Sequence, residues 1–324
     1  MKEKIKSYCN SIGIQEIGFV KCRRFDELIS FYNYRKENNL ENEFEESDIE
    51  KRINPKLYMN EGKTIISIAF PYLWNNDYVE NGFSKYTKGY DYHKVVKMHL
   101  DKICNMIIEA GGKAISLVDS NALPERYIAY LAGVGFIGKN NMIITKTHGS
   151  YVFLGEIITN LNLYDDDVRK FDEISKFKEC GECTICYKEC PTKAINEYKK
   201  NPNICTSYIT QKKELTDIEI KLLKDKIFGC DVCQNKCPYN ENISFSKIKE
   251  FKPLEFMENG KYEVYAEINN KAFKEKVLPT SCGWRGKNII KRNAIIRLYN
   301  RGINIEKYKG DSPYLNKYIE ILNK

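Results

Sequence analysis

Apolar residues gather in short runs along the first half of the chain, and their spacing changes from run to run. "KTIISIAF", "KAISLVD", "NMIITK" and "YVFLGEIIT" are brief, rich in β-branched residues and bounded by polar ones, the pattern of strands. Between them "YHKVVKMHLDKICNMIIEAGG" repeats its apolar positions at three and four, a helical period that the Gly-Gly pair stops. Strands and helices taking turns predict an α/β (α+β) domain over residues 1–163. The charged stretch "LYDDDVRKFDEISKFKE" then reads as loop or surface helix and leads into a cysteine-rich segment, the whole covering residues 164–240. Residues 241–324 read as helices, clearest in "WRGKNIIKRNAIIRLYNRG". There Ile289, Ile290, Ala294, Ile295 and Leu298 share a face and basic residues take the other.

Composition changes this picture in two ways. A chain of 324 residues with 42% hydrophobic content can bury a core without disulfides, so folding alone does not explain twelve cysteines. The first twenty residues carry charges followed by no continuous apolar run, and no later run reaches the length of a membrane span. The expected setting is the cytoplasm, where clustered cysteines serve metals or redox chemistry rather than disulfides. Charge is uneven: residues 240–324 hold 17 Lys and Arg against 10 Asp and Glu, leaving about +1 of the net +8 for everything before them. Such a local excess attracts polyanions, although a solvated helix face has the same composition.

"CGECTICYKECPTKAI" contains C-x2-C-x2-C-x3-C-P, a ligand run of bacterial two-cluster proteins, in which three cysteines hold one four-iron cubane and the fourth crosses to a second. Cys180, Cys183, Cys186 and Cys190 match it in full, with Pro191 after the last. "GCDVCQNKCPYN" supplies Cys230, Cys233 and Cys237 before Pro238 but lacks a first cysteine, a place that Cys205 can take. Two tetrads close: Cys180, Cys183, Cys186 and distal Cys237, then Cys205, Cys230, Cys233 and distal Cys190. Paired C-x2-C units also make zinc ribbons, but the two prolines and the x2-x2-x3 spacing fit the iron–sulfur pattern better. Cys9, Cys22, Cys104 and Cys282 are scattered and read as small buried hydrophobes.

Clusters conduct electrons, so an acceptor belongs nearby. In "VDSNALPERYIAYLAGVGFIGKNNMIITKTHGSYVFLGEIIT", Asp119 ends an apolar run, a strand-end position where α/β sheets bind ligands. Gly133, Gly135 and Gly138 form G-x-G-x-x-G, but after a helix and with no helix following, so the context of a dinucleotide site is missing. Asp119 itself reads either as a general acid, if burial raises its pKa, or as a turn or capping residue.

Taken in order, "VDS", "PER", "AGVGFIGKNN", "GSYVFLGEIIT", the two cysteine runs and "CTSYIT" resemble the epoxyqueuosine reductase family over most of the chain. "YTKGYDYHKVV" and "SCGWRGKNIIKRNAIIRLYN" extend the resemblance. It implies a nitroreductase-like N-terminal domain that holds cobalamin, a ferredoxin-like domain with two 4Fe-4S clusters, and a short HEAT-like helical tail contacting tRNA. It implies reduction of epoxyqueuosine to queuosine at the tRNA wobble position, with Asp119 as proton donor. It further implies cobalamin contacts from Arg52, Ser84, Asp119, Ile143, Leu154, Ser207 and Asp231. His93 and His99 are conceivable cobalt ligands, although His93 lies on a predicted helix and reads as a satisfied surface or packing group, and no D-x-H-x-x-G motif is present. Lys287, Lys291, Arg292, Arg297 and Arg301 are expected to meet RNA phosphates. The remaining expectations are a low-potential electron donor of unidentified nature, no membrane and a monomer. A reductive-dehalogenase-like reductase of a small molecule is the alternative, opposed by the basic tail and the missing export signal. A non-catalytic electron carrier is a further one, opposed by the large domain ahead of the clusters.

Overall fold

The strand Thr64–Pro71 is buried along its whole length in the computed structural model, which describes residues 1–167, 169–198 and 200–324. It is the second of six strands among the described residues: β1 (Ile17–Lys21), β2 (Thr64–Pro71), β3 (Ala114–Leu117), β4 (Phe136–Ile137), β5 (Ile143–Ile144) and β6 (Val152–Thr159). Successive side chains of a strand point to opposite faces. Ile65 and Ala69 therefore enter one core, and Ile66, Ile68 and Phe70 the other. Both faces are covered, which is why apolar residues occupy both sides of this run rather than alternating with exposed polar ones.

The main sheet has the order β1-β2-β6-β3, and every pairing in it is antiparallel. The mixed α/β character agrees with the pattern of strands and helices. The pairing follows from one insertion: the helical crossover keeps β2 and β3 parallel, but β6 lies between them and pairs with both. Helices α1 (Lys2–Ser11) and α2 (Tyr92–Glu109) cover one face with Ile5, Val96, Leu100 and Ile103. Helix α3 (Glu125–Leu131) covers the other with Phe25, Tyr32 and Ile53. Asp91 caps α2, its side chain accepting from the His93 amide at 3.2 Å, and Gly111–Gly112 follow the end of that helix. The G-x-G-x-x-G stretch spans the exit of α3 and the β4–β5 hairpin, with no helix after it.

Residues beyond the cysteines do not form a detached tail. Ser246 donates its amide to the Leu73 carbonyl at 2.7 Å, and Ile248 and Phe251 enter the α2 core. Helices α4 (Asp217–Leu223), α5 (Lys287–Tyr299) and α6 (Pro313–Leu322) share a further core that includes Phe83, Phe228, Tyr265 and Ile290. No helix among the described residues is long and apolar enough to cross a membrane.

Helix α5 departs from its expected two-faced form. Arg292 and Arg297 are 0% and 2% exposed, so neither lies on an outer basic face. Arg292 donates from Nη1 to the carbonyls of Lys212 and Lys213, both at 2.8 Å, and to the Tyr314 hydroxyl at 2.7 Å. Asn293 donates to the carbonyls of Thr210 and Ile227 at 2.8 and 2.7 Å. Buried carbonyls that no strand or helix satisfies need donors, and these two side chains provide them. Arg292→Ala is expected to destabilise the protein by about 3 kcal/mol or more, with Arg292→Lys recovering only part. An unfolding midpoint unchanged by Arg292→Ala would remove this structural role.

Candidate active site

All twelve cysteines are free thiols, but only eight gather. Burial, and after it the charges of Cys180, Cys237 and Cys183, push the Cys186 thiol up to about 11. Burial likewise raises Cys233, whose charged neighbours are Cys230, Cys205, Asp231 and Cys190. The chain thus brings Cys180, Cys183, Cys186 and Cys237 into one neighbourhood and Cys190, Cys205, Cys230 and Cys233 into another. Each cysteine run contributes its last member, Cys190 or Cys237, to the opposite group. Short helices, Ile185–Glu189 and Val232–Asn235, make the turns that allow this exchange. No three thiols among the described residues converge as ligands of a single metal ion. Thiols crowded in this way resist ionisation, and a metal centre that takes them as thiolates relieves both the burial and the repulsion. Cys9, Cys22, Cys104 and Cys282 lie apart in the apolar cores.

Asp119 lies beyond the end of β3, between the first turn of α2 and the start of α3, with φ at 47°, a conformation costly for a residue with a side chain. His93 Nε2 stands 3.0 Å from Asp119 Oδ2, and His93 Nδ1 stands 2.8 Å from Asp91 Oδ1. A histidine between two carboxylates satisfies both only as an imidazolium donating from both nitrogens. Burial opposes that charge, yet the bonds to Asp119 and Asp91 outweigh it and lift the His93 pKa to about 9. The condition that the sequence sets for Asp119 as an acid, a pKa raised by burial, is not met in its resting surroundings. Burial does push it up, but hydrogen bonds from His93 and Tyr92 outweigh burial and hold it below the usual value. At neutral pH the proton therefore rests on His93, and Asp119 is a carboxylate.

Two more carboxyl groups stand behind Asp119. Glu125 accepts from the Asp119 amide at 2.7 Å and from Asn121 Nδ2 at 2.8 Å. Burial and the charge of Asp119 push Glu125 up to about 7. Glu156, on β6 and fully buried, accepts from Ser67 Oγ at 3.3 Å, and burial with the Glu125 charge raises it well above a normal carboxyl. His93, Glu125 and Glu156 were absent from the set of sequence-predicted site residues. His99 is a packing group, buried against Tyr8 with its Nδ1 2.7 Å from the hydroxyl.

The predicted cofactor contacts fall into three places. Ser84 and Asp231 meet at the seam between the sheet domain and the cysteine segment, where Asp231 Oδ2 accepts from the Lys85 amide at 2.7 Å. A side chain on Gly229 would strike Ser84 Oγ at 2.0 Å, so only glycine lets these loops close. Ser207 lies nearby in the helix Thr206–Ile209, its carbonyl accepting from Thr210 Oγ1 at 2.7 Å. Ile143 and Leu154 belong to or pack against the α3-side core, Ile143 on β5 and Leu154 on β6. Arg52 sits farther out, over the Tyr32 ring at 4.0 Å and 3.3 Å from Glu45 Oε2. The Tyr86 hydroxyl feels both Asp231 and Asp119, Arg126 feels both Tyr32 and Glu125, and Lys200 feels Arg126 together with Cys186 and Cys180.

Ser84 Oγ, Asp231 Oδ1 and Thr206 Oγ1 are buried with no hydrogen-bond partner in the protein. Orphaned buried polar atoms are costly, and three along one seam fit a ligand that carries several amide or hydroxyl groups.

The cysteine pattern and its mixed α/β partner define an iron–sulfur oxidoreductase with a two-cluster module. A family model described as a 4Fe-4S double cluster binding domain matches residues 179–240. A second, described as epoxyqueuosine reductase QueG, DUF1730, matches residues 52–120. Epoxyqueuosine reductase from Lactococcus garvieae (strain Lg2) is 34% identical over 311 residues, 93% of this chain and 87% of that protein. A crystal structure of epoxyqueuosine reductase with an epoxyqueuosine-modified tRNA-Tyr stem loop superposes with a TM-score of 0.88 and 32% identity, over 99% of this chain and 88% of that one. A Bacillus subtilis epoxyqueuosine reductase, described with its catalytic aspartate loop swung out of the active site, superposes with a TM-score of 0.87 and 31% identity, over 99% and 89%. The chain belongs to the epoxyqueuosine reductase family.

NMR of the His93 ring is expected to show titration near 9, falling toward the ordinary value of 6.5 in Asp119→Asn. A raised histidine pKa stabilises the fold fully below 6.5 and loses that contribution as pH climbs through about 9. A lowered Asp119 contributes above 3.8 and loses its share as pH drops through its lower folded value. A His93 ring titrating near 6.5 in the unaltered protein would contradict the pairing.

Proposed function

We propose that this chain reduces epoxyqueuosine to queuosine in tRNA, the last step of queuosine synthesis, and that it works in the cytoplasm as a monomer. The likeness to the stem-loop-bound epoxyqueuosine reductase, over 99% of this chain, carries the reading. Removing an epoxide oxygen consumes two electrons and two protons: both carbon–oxygen bonds break, a carbon–carbon double bond forms and the oxygen leaves as water. Electrons and protons therefore need separate supplies at one substrate carbon pair.

The two thiol tetrads supply the electron route. In this reading Cys180, Cys183, Cys186 and Cys237 hold one 4Fe-4S cluster and Cys190, Cys205, Cys230 and Cys233 the other, fed by a low-potential donor. Cobalamin fits the seam because its side-chain amides match the orphaned Ser84, Asp231 and Thr206 atoms, with Ser207, Ile143, Leu154 and Arg52 as further contacts. When bound, it supplies low-potential electron transfer at cobalt, chemistry that belongs to the cofactor. The chain's own work is orientation and protonation. Asp119 Oδ2 receives the His93 proton and passes it to the oxygen as negative charge develops there. Glu125, poised near neutrality, and the protonated Glu156 stand as a reserve for the second proton. The half-exposed Asp119 side chain lets substrate reach this relay, and its left-handed backbone sets it on a loop able to move, as that of the Bacillus subtilis relative is described.

At the level of architecture, the antiparallel sheet with helices on both faces is read as nitroreductase-like, and the paired helices α5 and α6 as a short HEAT-like element. Lys287, Lys291 and Arg301 remain outside the core as tRNA-facing cations.

The test is to incubate anaerobically purified protein with cobalamin, a strong reductant and tRNA bearing epoxyqueuosine, then digest and analyse nucleosides. Queuosine is expected from the unaltered protein, and Asp119→Asn is expected to lower turnover about 100-fold or more without changing cluster content. Absence of queuosine from the unaltered protein, or full activity in Asp119→Asn, would sink the proposal.

A further inference from the structure

A cavity of about 470 Å³ is walled by three separate parts of the chain: the end of α1 with the segment leading to β1, the turn between β5 and β6, and the stretch after the cysteines. None of its lining residues belongs to the proton relay, the thiol tetrads or the cofactor seam. His148, on the turn, is the unusual member. It is 3% exposed, and its Nε2 has no hydrogen-bond partner. Facing it at 3.7 Å is Glu16 Oε2, on a side chain 9% exposed and likewise without a hydrogen bond.

Both groups are held through their other atom. His148 Nδ1 stands 2.8 Å from the Ser244 carbonyl oxygen. A carbonyl only accepts, so the ring proton is on Nδ1, and the Nε2 lone pair is left beside the carboxylate. Glu16 Oε1 accepts the Thr147 amide at 2.9 Å, and the Thr147 carbonyl accepts the Ser244 amide at 2.9 Å. The His148 amide donates to Thr145 Oγ1 at 3.1 Å, which fixes the turn. Two acceptors thus confront one another across a gap too long for a hydrogen bond, and an imidazolium would form an ion pair there without sharing its proton. Buried acceptors that lack a donor are costly. Lys247, the cation of the cavity wall, does not relieve them: its stem lies along Gly13, and it makes no ion pair with Glu16.

We propose that Glu16 Oε2 and His148 Nε2 bind a zinc ion, a centre separate from the two thiol tetrads. Zinc accepts imidazole nitrogen and carboxylate oxygen together, and an ion about 2.1 Å from each atom would see them about 120° apart, near its tetrahedral preference. The outer partners have the form that metal ligands take, the second ring nitrogen donating to a backbone carbonyl and the second carboxylate oxygen accepting a backbone amide. No third His, Cys, Asp or Glu joins the pair among the described residues, so the other positions fall to water or to the Asn10 and Gln15 carboxamides, and the ion is exchangeable. Bound there, it ties the stretch after the cysteines to the turn before β6. Ser150, two residues on, donates its amide to Asn240 Oδ1 at 2.7 Å, so the ion braces the segment that carries Cys237.

The test uses cluster-loaded protein, whose tetrad thiols are occupied, dialysed free of loosely held metal and titrated with zinc alone by calorimetry. One equivalent is expected to bind, with a rise in the thermal unfolding midpoint. Glu16→Gln, which keeps an acceptor for the Thr147 amide, is expected to weaken uptake strongly, and His148→Ala to abolish it. X-ray absorption at the zinc edge of the loaded protein is expected to show nitrogen and oxygen neighbours with imidazole scattering and no sulfur. Absence of uptake by the unaltered protein overturns the proposal and leaves Glu16 and His148 as an ion pair. Uptake indifferent to both variants, or sulfur in the zinc shell, also overturns it, because the ion then sits on thiols. None of these readouts uses RNA or turnover, so the result is independent of the tRNA reading.

Discussion

The structure is organised around the cost of placing eight thiols close together in two groups. Burial raises the energy of each thiolate and its neighbours raise it further, which pushes the Cys186 and Cys233 thiols upward. A chain tolerates this only when something positive and polynuclear takes the sulfurs. The double-cluster match over residues 179–240 identifies that partner as iron–sulfur. Because Cys190 and Cys237 each serve the opposite group, neither cysteine run can settle without the other. The helices after them, bolted on by Arg292 and Asn293, hold the loops at 210–213 and 227 that follow Cys205 and precede Cys230.

In the proposed reading the sheet domain contributes the proton side of the same design. Three elements converge where β3 ends: the capped first turn of α2, the strained Asp119 and the first residue of α3. Their ionisable groups do not behave alike. Asp119 and Asp91 share one imidazolium and stay ionised, whereas Glu125 and Glu156, crowded by that charge and by burial, keep their protons toward neutral pH. Neighbouring acids whose surroundings push them in opposite directions are the arrangement that lets one group hold charge while another stores a proton.

Much of this is legible along the chain, for definable reasons. Cluster ligands follow local spacing, so the two cysteine runs declare themselves, and Cys205 follows from counting to eight. The strands are visible because apolar runs persist whichever way the strands pair. Their antiparallel order is not, since it depends on β6 slipping between β2 and β3. Burial of Arg292 and Arg297 is equally hidden, because a helical pattern registers charge but not which carbonyls or rings await it. The Asp119 ionisation state depends on His93, 26 residues away and on another element. One signal pointed there: Asp91 and His93 stand at the start of α2, where an N-cap and a second residue on can share a proton. Ser84 and Asp231 are 147 positions apart in the chain, and their meeting is a property of the seam.

The account stands or falls on the crossed tetrads. Iron and sulfide analysis with EPR of the anaerobically reconstituted chain, beside its Cys205→Ser variant, addresses them most directly. About eight irons are predicted in the unaltered chain, with Cys205→Ser keeping one cubane signal and about four irons. Four irons or fewer in the unaltered chain, bound zinc in their place, or an iron count indifferent to Cys205→Ser would contradict it.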